Sequence, residues 1–577
     1  MAALINALDN HTPTQIGEKG HVEYGWSNSI KEKIVQFSFQ VTRTENLKPL
    51  ENQLVTMLET LMHQVKTGSL PEKEVARGYL TALYKMIGQT RDIVDGKGEY
   101  TLAYMMIYTW NRFYPKLAEF ALKCLVDLGD KKVHQYGSWK DIKYFCKFCQ
   151  SRGNSQNLIN YAIQITNEQL SNDYANLISN SNDISLAAKW VPREKSSFGW
   201  LFEQLATNFF SHIMLTANTE VRKQKATLKC KTEYRKILSA LNKKIDTTQI
   251  KQCGHDWANI DFSKTTSITL SKQKKAFLNV KKNGETRFPE DNDRVQCAEH
   301  FNAHIQKAVK GEVEMKGKRV GMADFTKQAR DLISNSKSSQ VEKDLLNSQW
   351  RDNSSQNGAL GKMIAMVDVS GSMEGDPMEV AIALGIRIAE KSALGKRVMT
   401  FSSTPTWVNL EPYPDFISQV QVVQRAPWGM NTNFHAALDL ILDAIIQNKM
   451  APEDVEDMVL VVLSDMQMDS GDNCNKQALY NTMKEKYEAA GIRVHGKGYK
   501  PPHILFWNLR STSGFPTLSN QPNASMMSGF SPSLLNLFCD QGLEALQSCT
   551  PWSLLMKSLE NERYTIMGNK LSEEIVV

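Results

Sequence analysis

The stretch Lys362-Met-Ile-Ala-Met-Val-Asp-Val-Ser-Gly-Ser-Met373 sets one carboxylate and two hydroxyls, Asp368, Ser370 and Ser372, at every second position after an apolar run. Gly371 loosens the turn, so the three oxygen side chains can face one point. A hard cation such as Mg²⁺ asks for that chemistry: it takes oxygen ligands in near-octahedral geometry and keeps several waters. A strand-to-helix turn capped by serines would use the same residues without any ligand.

The element that must deliver these oxygens is the run Met363 to Val367, whose apolar residues do not alternate with polar ones. That pattern belongs to a strand of a parallel sheet covered on both faces. Past Gly361 the spacing predicts strands at 363–367, 397–402, 406–410, 458–464, 503–508 and 523–528, alternating with helices at about 377–394, 432–448, 473–490 and 531–541. This alternation predicts an α/β doubly wound sheet, with the ends of its first and fourth strands on either side of the switch point where such sheets bind ligands.

Upstream the character differs. Residues 1–40 lack sustained periodicity and read as an N-terminal extension or loop. From Asn46 onward Leu50, Leu54, Met57, Leu58, Leu61 and Met62 recur at helical spacing, and further helices are predicted from Pro71, over Tyr100 to Tyr114, Lys116 to Leu128, from a Ser138/Asp141 capping box, and over Leu158 to Leu170 and Leu201 to Thr216. Paired helices without strand signals predict an all-α helical repeat, a solenoid that buries each apolar face against the next pair. Ser354-Ser-Gln-Asn-Gly-Ala-Leu-Gly361 has linker composition. The expected domains are therefore an extension at 1–40, a helical-repeat domain at 41–353 and an α/β domain at 354–577.

The Asp-x-Ser-x-Ser turn resembles the first element of the metal-ion-dependent adhesion site of von Willebrand factor A domains. The resemblance implies that Thr432, within Gly429-Met-Asn-Thr-Asn433, and Asp465, ending Met458-Val-Leu-Val-Val-Leu-Ser-Asp465, complete the ligand set. It implies Mg²⁺ or Mn²⁺ held by Asp368, Ser370, Ser372, Thr432 and Asp465, with an open coordination position for a carboxylate from a protein partner. Asn433 stands where many relatives carry Asp.

A second resemblance lies in the helical half. Arg91-Asp92 with Gly96-Lys-Gly-Glu99, then Tyr136-Gly-Ser-Trp-Lys-Asp141, Lys189-Trp-Val-Pro-Arg193 and Tyr234-Arg-Lys-Ile-Leu238 are spaced as in the helical-repeat (HEAT-like) TROVE module of Ro ribonucleoproteins. The whole is similar to a poorly characterised family of plants, fungi and large DNA viruses that joins such a module to a von Willebrand factor A-like domain. Tyr100 stands where the Gly-Lys-Gly-Glu motif is expected to end in Arg. Plainer roles exist for the same residues: Arg91 and Asp92 can pair internally, Trp139 and Trp190 can fill core, and Gly96 and Gly98 can make a helix-to-helix turn.

Composition narrows the function classes. A chain of 577 residues is too long for one core, and 41% hydrophobic with 23% charged residues is globular usage, not disorder. Between Arg222 and Arg287 stand 17 Lys and Arg against 5 Asp and Glu, an excess that suits RNA phosphates; Arg222, Lys223, Lys225, Lys229, Lys272, Lys274 and Lys275 are the candidate contacts. Nine irregularly spaced cysteines argue for a reducing compartment, and no apolar run reaches membrane-span length. The expected location is the cytoplasm, or a virion if the chain is viral. No phosphate loop or dinucleotide fingerprint is present, Ser370 replaces the second acid of a haloacid-dehalogenase phosphatase, and His435 is a lone histidine. The expectation is a non-enzymatic RNA-binding ribonucleoprotein scaffold carrying a metal-ion-dependent adhesion site. A protein-protein adhesion module without RNA is the first alternative, and a metal-dependent hydrolase the second.

Overall fold

Residues 11–153, 155–335, 339–429, 432–469, 479–539 and 549–576 are described by a computed structural model. The chain begins in a short antiparallel hairpin, β1 (Thr14–Ile16) and β2 (Val22–Tyr24), and enters helix Ile30–Gln40. This differs from the loop read in the sequence, and the reason is physical: the segment takes its order from residues almost five hundred positions away. Tyr24 and Phe515 exchange backbone hydrogen bonds of 2.9 and 3.0 Å, the Glu32 carboxylate accepts the Ser519 N–H at 2.9 Å, and the Thr512 N–H donates to Gln40 Oε1 at 2.6 Å. Ile34, Val35, Phe37 and Phe39 are buried. No local periodicity reports such anchoring.

The helical part runs through Lys48–Thr67, Leu70–Arg91, Tyr100–Asn111, Pro115–Cys124, Lys140–Arg152, Gln156–Ile178, Gly199–Phe209 and Glu220–Ile245, sequence neighbours packing mostly on one another. The helix expected over Leu201 to Thr216 breaks at Phe210 and resumes as Ser211–Leu215. Cys146 and Cys149 are buried, free and on one helix, as core residues are. Among the described residues no helix is long and apolar enough to cross a membrane.

Six strands form the second part: β3 (Met363–Asp368), β4 (Arg397–Phe401), β5 (Thr406–Asn409), β6 (Val459–Ser464), β7 (His503–Asn508) and β8 (Ala524–Ser528). Their order is β5-β4-β3-β6-β7-β8, parallel throughout except where β5 returns antiparallel on β4. The chain fills the sheet outward from β3 in one direction and from β6 in the other, so the switch point falls between these two strands. Each expected strand is present within a residue or two. The helix expected at 473–490 is Leu479–His495, residues 470–478 lying outside those described, and the one at 531–541 opens as a 3₁₀ turn at Pro532–Leu535 followed by α-helix over Asn536–Cys539, residues 540–548 lying outside those described.

Why β3, β6 and β7 are apolar without alternation follows from what lies on each face. Ala365, Val367, Val461, Leu463 and Trp507 share a core with helices Met322–Ser334, Asp376–Lys391 and Phe416–Gln424. Ile364, Met366, Leu460, Val462 and Phe506 point the other way, into a core continuous with the helical array and with helices Pro551–Leu559 and Thr565–Glu574. Each such side chain contributes roughly 1.5–3 kcal/mol of burial. Helix Asp376–Lys391 comes so close to β3 that a Cβ on Gly385 would lie 2.5 Å from a Val367 methyl. A third, smaller core joins Phe262, Leu270, Phe277, Phe301 and Ile305. The residues of linker composition are not loose: Asn357 is buried and accepts from Arg387 at 2.8 Å.

Lys97, inside the Gly-Lys-Gly-Glu turn, joins three of these pieces. Its ammonium donates to the Ser38 and Val41 carbonyls, both at 2.9 Å, and to Ser528 Oγ at 2.7 Å. Burial lowers this amine to about 7, and its three hydrogen bonds, which a neutral amine supplies only in part, tie the carboxyl end of helix Ile30–Gln40 to β8. Lys97→Met should cost about 1–3 kcal/mol, the usual effect of leaving a buried carbonyl without its donor. Chemical denaturation would measure the loss, and hydrogen exchange should show it first at residues 38–41.

Candidate metal centre

Strands β3 and β6 end side by side, and their last side chains meet. Asp368, Ser370, Thr432 and Asp465 are all fully buried, with Ser372 half-buried. The Asp368 carboxylate turns back on its own loop, one oxygen accepting the Ser370 N–H at 2.9 Å and the other the Ser464 hydroxyl at 2.6 Å. Ser370 Oγ stands 3.2 Å from Ser372 Oγ. The loop bearing Thr432 is drawn in by a bridge between Ser370 and Gly429, where a Cβ would lie 2.1 Å from Ser403 Oγ and would force that hydroxyl to move. Met430 and Asn431 of the Gly429–Asn433 motif lie outside the described residues.

Burial, and secondarily the Asp465 charge, raise the Asp368 carboxyl to about 6. Asp465 is balanced on one side, receiving Arg510 Nε at 2.9 Å and the Gln467 N–H at 3.0 Å. Two buried carboxylates, one of them held by the Ser464 hydroxyl, would suit an added hard cation. Among the described residues no group of three or more His, Cys, Asp or Glu is placed to hold a metal. A cation here would rest on hydroxyls and two acids, the donor set that Mg²⁺ or Mn²⁺ accepts while retaining water.

Several residues at this site carry no motif and were missed. Asp469 accepts the Thr432 N–H at 2.7 Å and returns its own N–H to the Thr432 carbonyl at 3.0 Å, fixing the threonine loop beside β6. Ser464, Arg510 and Lys19, which donates to Thr432 Oγ1, also belong here. Arg510, just past the end of β7, could have been found from position alone; Lys19 could not.

The basic candidates do not gather into one group. Arg222, Lys223, Lys225 and Lys229 are exposed on helix Glu220–Ile245, whose buried face belongs to the large helical core. Lys272, Lys274 and Lys275 lie on helix Ser267–Phe277, which packs into the small third core, and Lys274 is committed to Gln328 at 2.9 Å. A different basic face is better formed. Lys143 lies 5.0 Å from the Trp190 ring centre, 5.5 Å from Tyr144 and 5.9 Å from Phe198; Lys140, Lys147 and Lys189 stand over the same three rings at 5.4 to 5.9 Å. The Lys140, Lys143, Tyr144, Lys147 spacing of three and four was visible in the sequence as one helix face.

The motifs of the helical half mostly clamp the fold. Arg91 binds Asp141 bidentately at 2.7 and 2.8 Å, and Asp92 takes two bonds of 2.7 Å from Arg563. Trp139 is core, whereas Trp190 is only partly buried.

Comparison with known sequences finds two separate matches along the chain. Residues 144–356 match the family model described as a domain of unknown function (DUF2828), and residues 362–567 match another domain of unknown function (DUF7788). The chain is also similar to an uncharacterized protein of Acanthamoeba polyphaga mimivirus, 29% identical over 493 residues that cover 82% of this chain and 78% of the relative. These matches fit a poorly characterised protein family with a representative in a large DNA virus.

Proposed function

We propose that the protein is a non-catalytic RNA-binding scaffold whose helical part, TROVE-like in its motifs, grips RNA, and whose α/β part, von Willebrand factor A-like, holds Mg²⁺ or Mn²⁺ on Asp368, Ser370, Ser372, Thr432 and Asp465. The observation that carries the RNA reading is the lysine-aromatic face around Trp190. Among the described residues Lys140, Lys143, Lys147 and Lys189 have no carboxylate within 4.0 Å, although ion pairs are common elsewhere on this surface. Burial first, and Lys140 second, hold the Lys143 ammonium below the usual lysine range. Crowded, unpaired cations beside partly buried rings are relieved by phosphates, and the open parts of the rings offer stacking to unpaired bases.

The test is single-stranded RNA binding as a function of salt. Each neutralised phosphate contributes about −0.7 to the slope of log affinity against log salt, so replacing Lys140, Lys143 and Lys147 together by Gln should flatten the slope by about 2. Trp190→Ala should lose about 1–3 kcal/mol if a base stacks there. No RNA binding, or a salt-independent affinity, would favour the alternative in which the helical array is only a platform and the cation receives a partner's carboxylate.

A further inference from the structure

We propose that the β1–β2 hairpin is a built-in plug of the oxygen cluster, with Lys19 occupying the place of the divalent cation until the cation displaces it. The proposal rests on the cation site put forward above.

The turn between β1 and β2 reaches the cluster at its tip. The Lys19 ammonium donates to Thr432 Oγ1, one of the five candidate ligand oxygens. Its neighbour Glu18 accepts Arg510 Nη2 at 2.8 Å, while Nε of the same guanidinium holds Asp465 at 2.9 Å. The Glu18 N–H donates to Gln467 Oε1 at 2.7 Å, and Gly20 bridges antiparallel to Asp469. Thus, among the described residues, these partners of the tip are a candidate ligand or residues fixing one. The turn is tightly folded: a Cβ on Gly17 would lie 2.2 Å from the His21 ring, and Gly20 has φ +88°.

Charge makes the two occupants exclusive. An ammonium bonded to a hydroxyl that also ligated a dication would lie a few ångströms from it, and in a buried site that repulsion is poorly screened. With the dication absent, the same ammonium occupies the Thr432 hydroxyl that the dication would need. The tip can lift without unfolding its base, because Tyr24 stays paired with Phe515 and helix Ile30–Gln40 stays anchored through Glu32 and Gln40. Cation entry therefore frees Lys19 and Glu18 and clears the approach that an outside carboxylate would need.

The experiment compares the full chain with Lys19→Gln, using Mn²⁺ as the probe. If the tip is open about a tenth of the time, the apparent Mn²⁺ affinity is reduced by that fraction, so Lys19→Gln should bind about tenfold more tightly by calorimetry. In the unsubstituted protein Mn²⁺ should speed trypsin cleavage after Lys19 severalfold. Glu18→Gln, which cuts the tie to Arg510, should raise affinity in the same direction by less. Equal or weaker Mn²⁺ binding in Lys19→Gln overturns the plug and leaves the cation site standing. Absence of Mn²⁺ binding in both proteins removes the site and the plug together.

Discussion

Arg563→Ala is expected to lower the free energy of unfolding by about 3–5 kcal/mol, the cost of stranding one partner of a buried ion pair. Asp92 is completely buried at the end of helix Leu70–Arg91. It receives both Arg563 Nε and Nη2 at 2.7 Å and the Tyr564 hydroxyl at 3.2 Å, and Arg563 Nη2 also reaches the His134 carbonyl at 2.9 Å. The arginine is only 14% exposed, so water replaces little of what the alanine removes. The pair joins positions 471 residues apart and docks helix Thr565–Glu574 on the helical array. Urea denaturation would measure the loss, and the Asp92→Ala/Arg563→Ala double variant should lose less than the two single losses added, since it strands no charge. A loss under about 1 kcal/mol in Arg563→Ala would show that helix Thr565–Glu574 is held on the array by its other contacts.

That pair also marks the limit of what the sequence discloses. The strands of the sheet were legible because five-residue apolar runs bounded by turn residues have few other uses, and Asp368 and Asp465 followed because they end such runs. Arg91-Asp92 was legible as a motif but not as a clamp, since its partners, Asp141 and Arg563, are distant in sequence and nothing in periodicity pairs them. The same holds for residues 14–40. Lys19 reaches Thr432 across 413 positions, and Gln40 meets Thr512 across 472. In the basic segment the count of charges and their placement differ. Helix Ser267–Phe277 spends Lys274 on an internal hydrogen bond, whereas the lysines around Trp190 lie in a stretch whose net charge is unremarkable. Net charge records how many cations a segment has, and geometry decides which of them lack an anion.

The largest effect on ligand binding is expected from Asp368. Asp368→Ala should weaken Mn²⁺ binding at least about a hundredfold, beyond the ten- to hundredfold typical of residues that merely support a ligand. Asp368→Asn is the sharper variant, because its amide can keep the bond from the Ser370 N–H while giving up the charge. It should lose the cation equally yet unfold at the same or a higher denaturant concentration without metal, since it removes the repulsion between two buried carboxylates. The pH dependence follows with a definite sign. With its carboxyl raised to about 6 in the fold and near 3.9 in the unfolded chain, Asp368 binds a proton more readily when folded. Metal-free stability therefore falls as pH rises from about 4 to about 6. Mn²⁺ competes with that proton, so its affinity should rise through the same window, falling about tenfold per unit below pH 6. Mn²⁺ affinity that is flat between pH 5 and 7, or retained in Asp368→Asn, would place the cation elsewhere and leave the buried pair of acids without a ligand.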